Sequence, residues 1–296
     1  MQFCLGTVQF GLDYGIQGNK QPQEDKVFEM LTYAIENGIT VLDTASAYGD
    51  AEVILGKYFN SYPDKKTAVG VVSKLRPDAF VETGPEEWDV IAIQNAKDSL
   101  NRMCINKLEA FLFHNASFIF NQNAVHALYA VKEAGLAKQI GVSVYSPEEA
   151  VKALDYPEIS VIQIPYNLFD HRLDKCGFFT RAKAQRVNVY ARSSLLQGLI
   201  MMDPDNLPDN VAFAKKYLIQ IRNICDLYDI DLLEAAIGYV GNKDTIDYVV
   251  FGVDDLSQLK EYIALEKVKL SNEMIETIES AFQEVDEKLV NPVLWR

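Results

Sequence analysis

The chain has 296 residues, 49% of them apolar, with 42 acidic and 28 basic side chains and a formal net charge of −14. That excess of acid removes the electrostatic footing for nucleic acid or an anionic membrane. No apolar run approaches the roughly 20 residues a membrane span needs, and Met1 leads into a strand-like segment, not a signal peptide. Cys4, Cys104, Cys176 and Cys225 are scattered, so a cytoplasmic protein with free thiols is expected.

The length is ordinary for one α/β barrel. A strand is predicted at 5–7. Gly11, Gly15 and Gly18 follow it and precede polar Asn19-Lys20-Gln21-Pro22, which reads as a flexible loop and not a Rossmann fingerprint. An amphipathic helix at 23–37 stops at Gly38 and hands over to a strand at 40–43. The next strand, 68–74, leads to a helix at 86–103 and a strand at 110–114. A helix at 124–134 stops at Gly135 before the strand at 139–143. Ser146 and Pro147 start a helix at 147–154, followed by a strand at 161–164, a helix at 173–185 and a strand at 187–191. Residues 208–242 hold two helices ahead of the last strand, 248–252. Residues 272–287 read as a closing helix and 289–296 as an irregular tail. Eight strands with intervening helices and no linker predict a single (β/α)8 barrel over residues 1–296; an open doubly wound sheet is the rival. With no heptad or spare apolar stripe, a monomer is expected.

Three strand ends carry chemistry. Asp43 closes the run Ile39-Thr40-Val41-Leu42, Lys74 closes Val69-Gly70-Val71-Val72-Ser73, and His114 closes Ala110-Phe111-Leu112-Phe113. Tyr48 follows Asp43 by five residues. In a parallel barrel these ends meet on the face where active sites lie. Taken singly, each has an ordinary reading: a turn or cap for Asp43, a loop aromatic for Tyr48, a core imidazole for His114. A lysine in an apolar strand is less ordinary, because a buried ammonium needs a partner.

Together they suggest a phenol serving as a proton donor. Lys74 at about 4 Å would lower the phenol's pKa by up to about 3 units at an effective dielectric near 20. Asp43 would hold Lys74, and His114 would orient a substrate oxygen. His114, His126 and His171 have no ligand spacing and no Cys/His cluster exists, so no metal is expected; there is no Gly-x-Ser-x-Gly elbow either. A proton donor without nucleophile or metal suits carbonyl reduction with hydride from a bound cofactor.

These residues resemble the aldo-keto reductase family. Asp43-Thr44-Ala45, Tyr48-Gly49, Glu52 and Leu55-Gly56 are similar to its most specific motif, Lys74 and His114 fall at its other two catalytic places, and the likeness runs from Leu5-Gly6-Thr7 to Gly252. The resemblance implies a barrel that takes NADP(H) or NAD(H) without a Rossmann fold. It implies Tyr48 as the acid in reduction and the base in the reverse. It places Gly6, Thr7, Ser143 and Gln163 on the cofactor, with Val144 where asparagine is usual. It adds Arg192, Ser193, Leu195, Gln197 and Gly198, with Arg192 standing where a stacking tyrosine is usual, either as a replacement shelf or as a surface arginine paired with an acid. It assigns Gly252, Val253, Asp254, Gln258, Glu261 and Tyr262 to the adenosine end. Asp254 there disfavours a 2′-phosphate and suits a free ribose, although Lys260 is available to counter it.

A small-molecule carbonyl substrate is expected to meet Phe10, Leu12, Tyr14, Arg76, Asn115, Phe118, Asn167, Phe169 and Trp295. The stretches Leu5-Gly6-Thr7-Val8-Gln9-Phe10-Gly11-Leu12-Asp13-Tyr14-Gly15 and Arg192-Ser193-Ser194-Leu195-Leu196-Gln197-Gly198 look similar to a bacterial branch tied to sugar and surface-polysaccharide metabolism, which implies a sugar-derived aldehyde or ketone. Two rivals stay open: a non-catalytic cofactor-binding regulatory subunit, and a barrel lyase using Lys74 as a Schiff base.

Overall fold

A computed structural model of the chain describes residues 1–295. Eight strands run parallel: β1 (Gln2–Gly6), β2 (Val41–Asp43), β3 (Gly70–Leu75), β4 (Leu108–Phe113), β5 (Ala137–Ser143), β6 (Val161–Pro165), β7 (Asn188–Arg192) and β8 (Tyr248–Phe251). Each pairs with its sequence neighbour, and β1 pairs with β8, so the sheet closes into a barrel wrapped by helices. Every predicted strand is present, within a few residues of its expected bounds.

The interior explains where the chemistry sits. Side chains alternate across a strand, so every second residue faces the barrel axis. Cys4, Val41, Val72, Ala110, Leu112, Val161, Tyr190 and Val250 form one buried apolar cluster. Two residues further along the same strands, on the same face, come Gly6, Asp43, Lys74, His114, Gln163, Arg192 and Gly252. The polar residues are the top layer of the barrel filling, standing on an apolar plug. The register Gly6↔Asp43 sets two of these residues level, whereas Asp43↔Val72 staggers the third strand, so that Lys74 stands two residues further up its strand than the residue paired with Asp43.

The helical predictions hold with two exceptions. The stretch 173–185 is not one helix. A 3-10 turn, Arg172–Lys175, precedes the helix Phe178–Gln185, because Gly177 turns left-handed at φ 73° between them. The closing helix is shorter than expected, Asn272–Ala281, and a separate short one, Glu287–Val290, starts at the Asp286 cap. Residues 208–242 hold the helices Lys215–Leu227 and Leu232–Gly241 as predicted. Two further helices, Ala51–Ser61 and Leu256–Ala264, start at the rim of the cleft described next.

Candidate active site

Lys74 and Asp43 are 1% and 3% exposed, and they solve each other's burial. The Lys74 ammonium donates to Asp43 Oδ1 at 2.9 Å, to Asp43 Oδ2 at 2.8 Å and to the Thr44 carbonyl at 2.8 Å. A buried ion pair survives only with its remaining valences filled, and here they are. Tyr48 Oη lies 3.4 Å from Lys74 Nζ, and the ammonium sits 4.9 Å from the Tyr48 ring centroid. His114 meets the Tyr48 ring edge-on, with centroids 5.7 Å apart and planes at 88°.

Tyr48 is held by backbone contact and by one buried carboxylate. Gly49 takes φ 52°, and a Cβ there would lie 2.1 Å from the Gly11 carbonyl; a Cβ on Gly11 would lie 1.8 Å from the Tyr48 carbonyl. Only glycines let the two segments touch, and the Asp50 amide donates to the Gly11 carbonyl across that contact at 3.1 Å. One turn beyond Tyr48, buried Glu52 accepts from Ser73 Oγ at 2.6 Å and from Arg102 Nε at 2.7 Å. Glu52 therefore ties the segment carrying Tyr48 to the strand carrying Lys74.

The electrostatics differ from the expectation in one respect. Burial raises Tyr48 above the ordinary phenol value, and Lys74, though it acts to lower it, does not win; Asp43 adds to the rise. Tyr48 is thus a protonated phenol at neutral pH, an acid more than a base. For Lys74, burial favours the neutral amine, but the Asp43 charge, with Tyr48 and the hydrogen bonds to both, outweighs it, and the net shift is upward. His114 is pushed down to about 3 by burial, with Lys74 and then Arg192 adding to the fall. Its imidazole is neutral at physiological pH, a hydrogen-bond donor with no charge to titrate. If Tyr48 is the acid in the expected carbonyl reduction, the pH profile should show no limb from a histidine between pH 5 and 8 and should fall only above the ordinary phenol value of 10.0, as Tyr48 ionises; steady-state rates from about pH 5 into strong alkali, past that value, will check this.

A hydrogen-bonded chain crosses the rim from this centre. Gln163 Nε2 donates to Asp43 Oδ1 at 2.8 Å, Ser143 Oγ donates to Gln163 Oε1 at 3.0 Å, and Arg192 Nε donates to Ser143 Oγ at 3.3 Å. Beyond it a cleft of about 780 Å³ runs over the barrel mouth. Of the residues expected there, Gly6, Thr7, Tyr14, Asp43, Tyr48, His114, Ser143, Gln163, Arg192, Ser193, Leu195, Gln197, Gly198, Gly252, Asp254, Gln258, Glu261 and Tyr262 line it; Lys74 lies buried behind Tyr48. Arg192 is not an acid-paired surface arginine: its guanidinium packs 4.4 Å from the Tyr145 ring centroid. Lys260 does not reach the cleft, since its ammonium sits over Tyr33 on another face.

Several expected residues lie elsewhere. Val253 is fully buried in the apolar core beneath the rim. Phe10 is fully buried too, because the segment after β1 coils into a short helix, Val8–Gly11, that turns it inward. Arg76 is exposed and pairs with Asp78 at 3.2 Å. Asn115 caps its own turn through Ser117 and donates to the Pro77 carbonyl. Asn167 is buried, accepting from the Phe169 and Asp170 amides and donating to the Ser193 carbonyl. Phe169 and Trp295 belong to the core, Phe118 packs on Phe80 and Phe113, and Leu12 is not a lining residue.

Lining residues that sequence reasoning missed include Gln9, Ile16, Asn19, Tyr145, Met201, Met202, Pro292 and Val293. Two of them form part of a strap. A bridge between Tyr14 and Asn19 folds the loop after β1 into a tight hairpin. The Ile16 amide donates to the Gln197 carbonyl at 3.3 Å, and Asn19 Nδ2 donates to Asp254 Oδ2 at 2.6 Å. The glycines at 15 and 18 were the available signal for that turn.

The lining fits a dinucleotide. Leu196, Gln197 and Gly198 are successively left-handed, at φ 48°, 56° and 92°, a backbone form that makes anion-holding concavities. Gln9 Oε1 and His114 Nδ1 are buried without a partner among the described residues, and an unpaired buried polar atom is costly until something fills it. Among the described residues, no group of His, Cys, Asp and Glu could hold a metal ion, and no helix is long and apolar enough to cross a membrane.

Comparison with known proteins agrees. The family model described as "Aldo/keto reductase family" matches residues 2–283. A soybean protein named probable aldo-keto reductase 1 is 27% identical over 58% of this chain, a match spanning about half (53%) of that protein. The Escherichia coli NADH-specific methylglyoxal reductase is 22% identical over 79% of this chain and 81% of its own length. A holo structure of an aldo-keto reductase from Bacillus halodurans superposes with a TM-score of 0.77 at 19% identity, covering 98% of this chain and 95% of that one. The chain belongs to the aldo/keto reductase family of NAD(P)H-dependent oxidoreductases.

Proposed function

We propose that the chain reduces an aldehyde or ketone to an alcohol, with Tyr48 as the general acid. Lys74 and Asp43 tune and hold Tyr48, and His114 orients the carbonyl oxygen. The observation that carries this reading is the meeting of a neutral imidazole and a protonated, lysine-backed phenol at one end of a dinucleotide-sized cleft. Hydride comes from the nicotinamide when the cofactor is bound. Gln163 and Ser143 would hold its carboxamide, the turn at Leu195–Gly198 its diphosphate, and Asp254, Gln258 and Glu261 its adenosine end. Turnover of a carbonyl panel, including methylglyoxal and sugar-derived aldehydes, tests the proposal. No activity on any member, with the cofactor bound, would favour the regulatory-subunit reading. A Schiff base on Lys74 is disfavoured, because its ammonium is buried, charged and fully hydrogen-bonded. Sugar-derived carbonyls are the substrate class we propose, with the phenols of Tyr14 and Tyr145 at the mouth as partners for hydroxyl groups.

For the cofactor, the proposal is NADH over NADPH. Two carboxylates, Asp254 and Glu261, line the adenosine end, and no lysine lines the cleft among the described residues. A ribose diol finds acceptors there, whereas a 2′-phosphate would face two like charges. We expect kcat/KM with NADH to exceed that with NADPH by about tenfold or more, and Asp254→Ser to narrow the gap about fivefold. Steady-state kinetics with both cofactors decides, and a wild-type preference for NADPH would sink the idea.

A further inference from the structure

Among the described residues, Arg192 makes no ion pair that would cancel its charge. Its hydrogen bonds go only to neutral acceptors: Ser143 Oγ at 3.3 Å, Ser193 Oγ at 3.1 Å and the Val144 carbonyl at 2.7 Å. The neighbouring Asp43 carboxylate is already matched, held at both oxygens by Lys74. His114 is neutral. The rim between Asp43 and Arg192 therefore carries a surplus positive charge in a half-buried setting, where screening by water is weak. One face of the guanidinium is covered by Tyr145, and Arg192 lines the cleft beside Ser143 and Gln163.

We propose that Arg192 makes the cleft select the oxidation state of the nicotinamide, holding the uncharged reduced ring and rejecting the cationic oxidised one. This rests on the reading above that a nicotinamide is held beside Gln163 and Ser143. A flat guanidinium offers a ring a stacking surface, so the neutral dihydropyridine pays nothing for its contact. A pyridinium brought to the same surface meets a like charge. An aromatic side chain in this position would have the opposite sense, because the ring's negative face attracts a cation. Weak hold on the oxidised form clears the cleft for the next reduced molecule. It also makes the alcohol-oxidising direction depend on high concentrations of oxidised cofactor, so the device favours carbonyl reduction.

The test is calorimetric titration of the full chain with NADH, NAD+ and ADP-ribose, which lacks the nicotinamide. Wild type is expected to bind NADH at least about tenfold more tightly than NAD+. Arg192→Gln is expected to bring the two within about threefold, by the same electrostatic argument. Arg192→Lys is expected to keep most of the preference, and ADP-ribose to bind all three proteins alike. Equal affinity of wild type for NADH and NAD+ overturns the proposal without any variant, as does an unchanged ratio in Arg192→Gln. Equal weakening of all three ligands by Arg192→Gln also overturns it, by making Arg192 a diphosphate anchor. Failure of all three to bind wild type is a different failure: it removes the cofactor reading itself, and this proposal with it.

Discussion

Tyr48→Phe is expected to lower kcat for carbonyl reduction by about a thousandfold or more, with NADH affinity within about twofold of wild type. The substitution removes one oxygen and leaves the ring, so the edge contact with His114 and the ammonium over the ring face both persist. On the proposed reading, what disappears is the proton donated to the carbonyl oxygen, and a positioned acid contributes about 10²- to 10⁴-fold. Lys74 loses only its longest partner and keeps Asp43 and the Thr44 carbonyl, so the fold should hardly register the change. Initial rates, a thermal melt and a cofactor titration on the same preparation separate these effects. Substantial residual turnover would mean that another phenol supplies the proton. Tyr14 is then the candidate, since it lines the same cleft and burial, with a push from Tyr48, raises it to about 12.

The parts of this site that were legible in the sequence are those fixed by strand periodicity. An apolar run that ends in Asp43, Lys74 or His114 identifies a barrel strand and its top-layer residue together, because the same alternation that fills the barrel delivers the next inward side chain to the rim. Gln163 and Arg192 follow the same rule. The mouth was not legible in that way. Its walls come from segments whose approach is tertiary: the hairpin at Tyr14–Asn19 leaning on Asp254, Met201 and Met202 after the seventh strand, and Pro292 and Val293 from the tail. Proximity in sequence to a strand end misled for Phe10, which a short helix turns into the core, and for Asn115 and Asn167, whose side chains are spent capping their own turns. The sign of the Tyr48 shift was also out of reach. The attraction of Lys74 depends on a distance that sequence suggests, but the opposing cost depends on how completely the phenol is buried, and only the packed structure fixes that.

Lys74→Met should destabilise the protein by about 3–5 kcal/mol at neutral pH and abolish activity, whereas the double variant Asp43→Asn/Lys74→Met should recover most of the stability and none of the activity. The single change leaves a carboxylate buried without its ammonium, the arrangement that costs most in an ion pair of this kind. Gln163 still donates to Asp43, but a neutral amide does not replace a cation at 2.8 Å. Removing both charges eliminates that penalty, and the asparagine can still accept from Gln163. The pair works at full strength at neutral pH. Lys74 is shifted upward, so its stabilising contribution is complete below the ordinary lysine value of 10.5 and is lost only as pH rises through the higher folded-state value. Urea unfolding of wild type, Asp43→Asn, Lys74→Met and the double variant at pH 7 gives the coupling directly. Coupling near zero would mean that the apolar plug and the closed sheet hold the rim alone, with the pair serving chemistry only. Strong coupling together with an inactive but stable double variant would mean that one contact does two jobs: it fastens the second and third strands at the mouth, and it sets the charge under the phenol that gives up its proton.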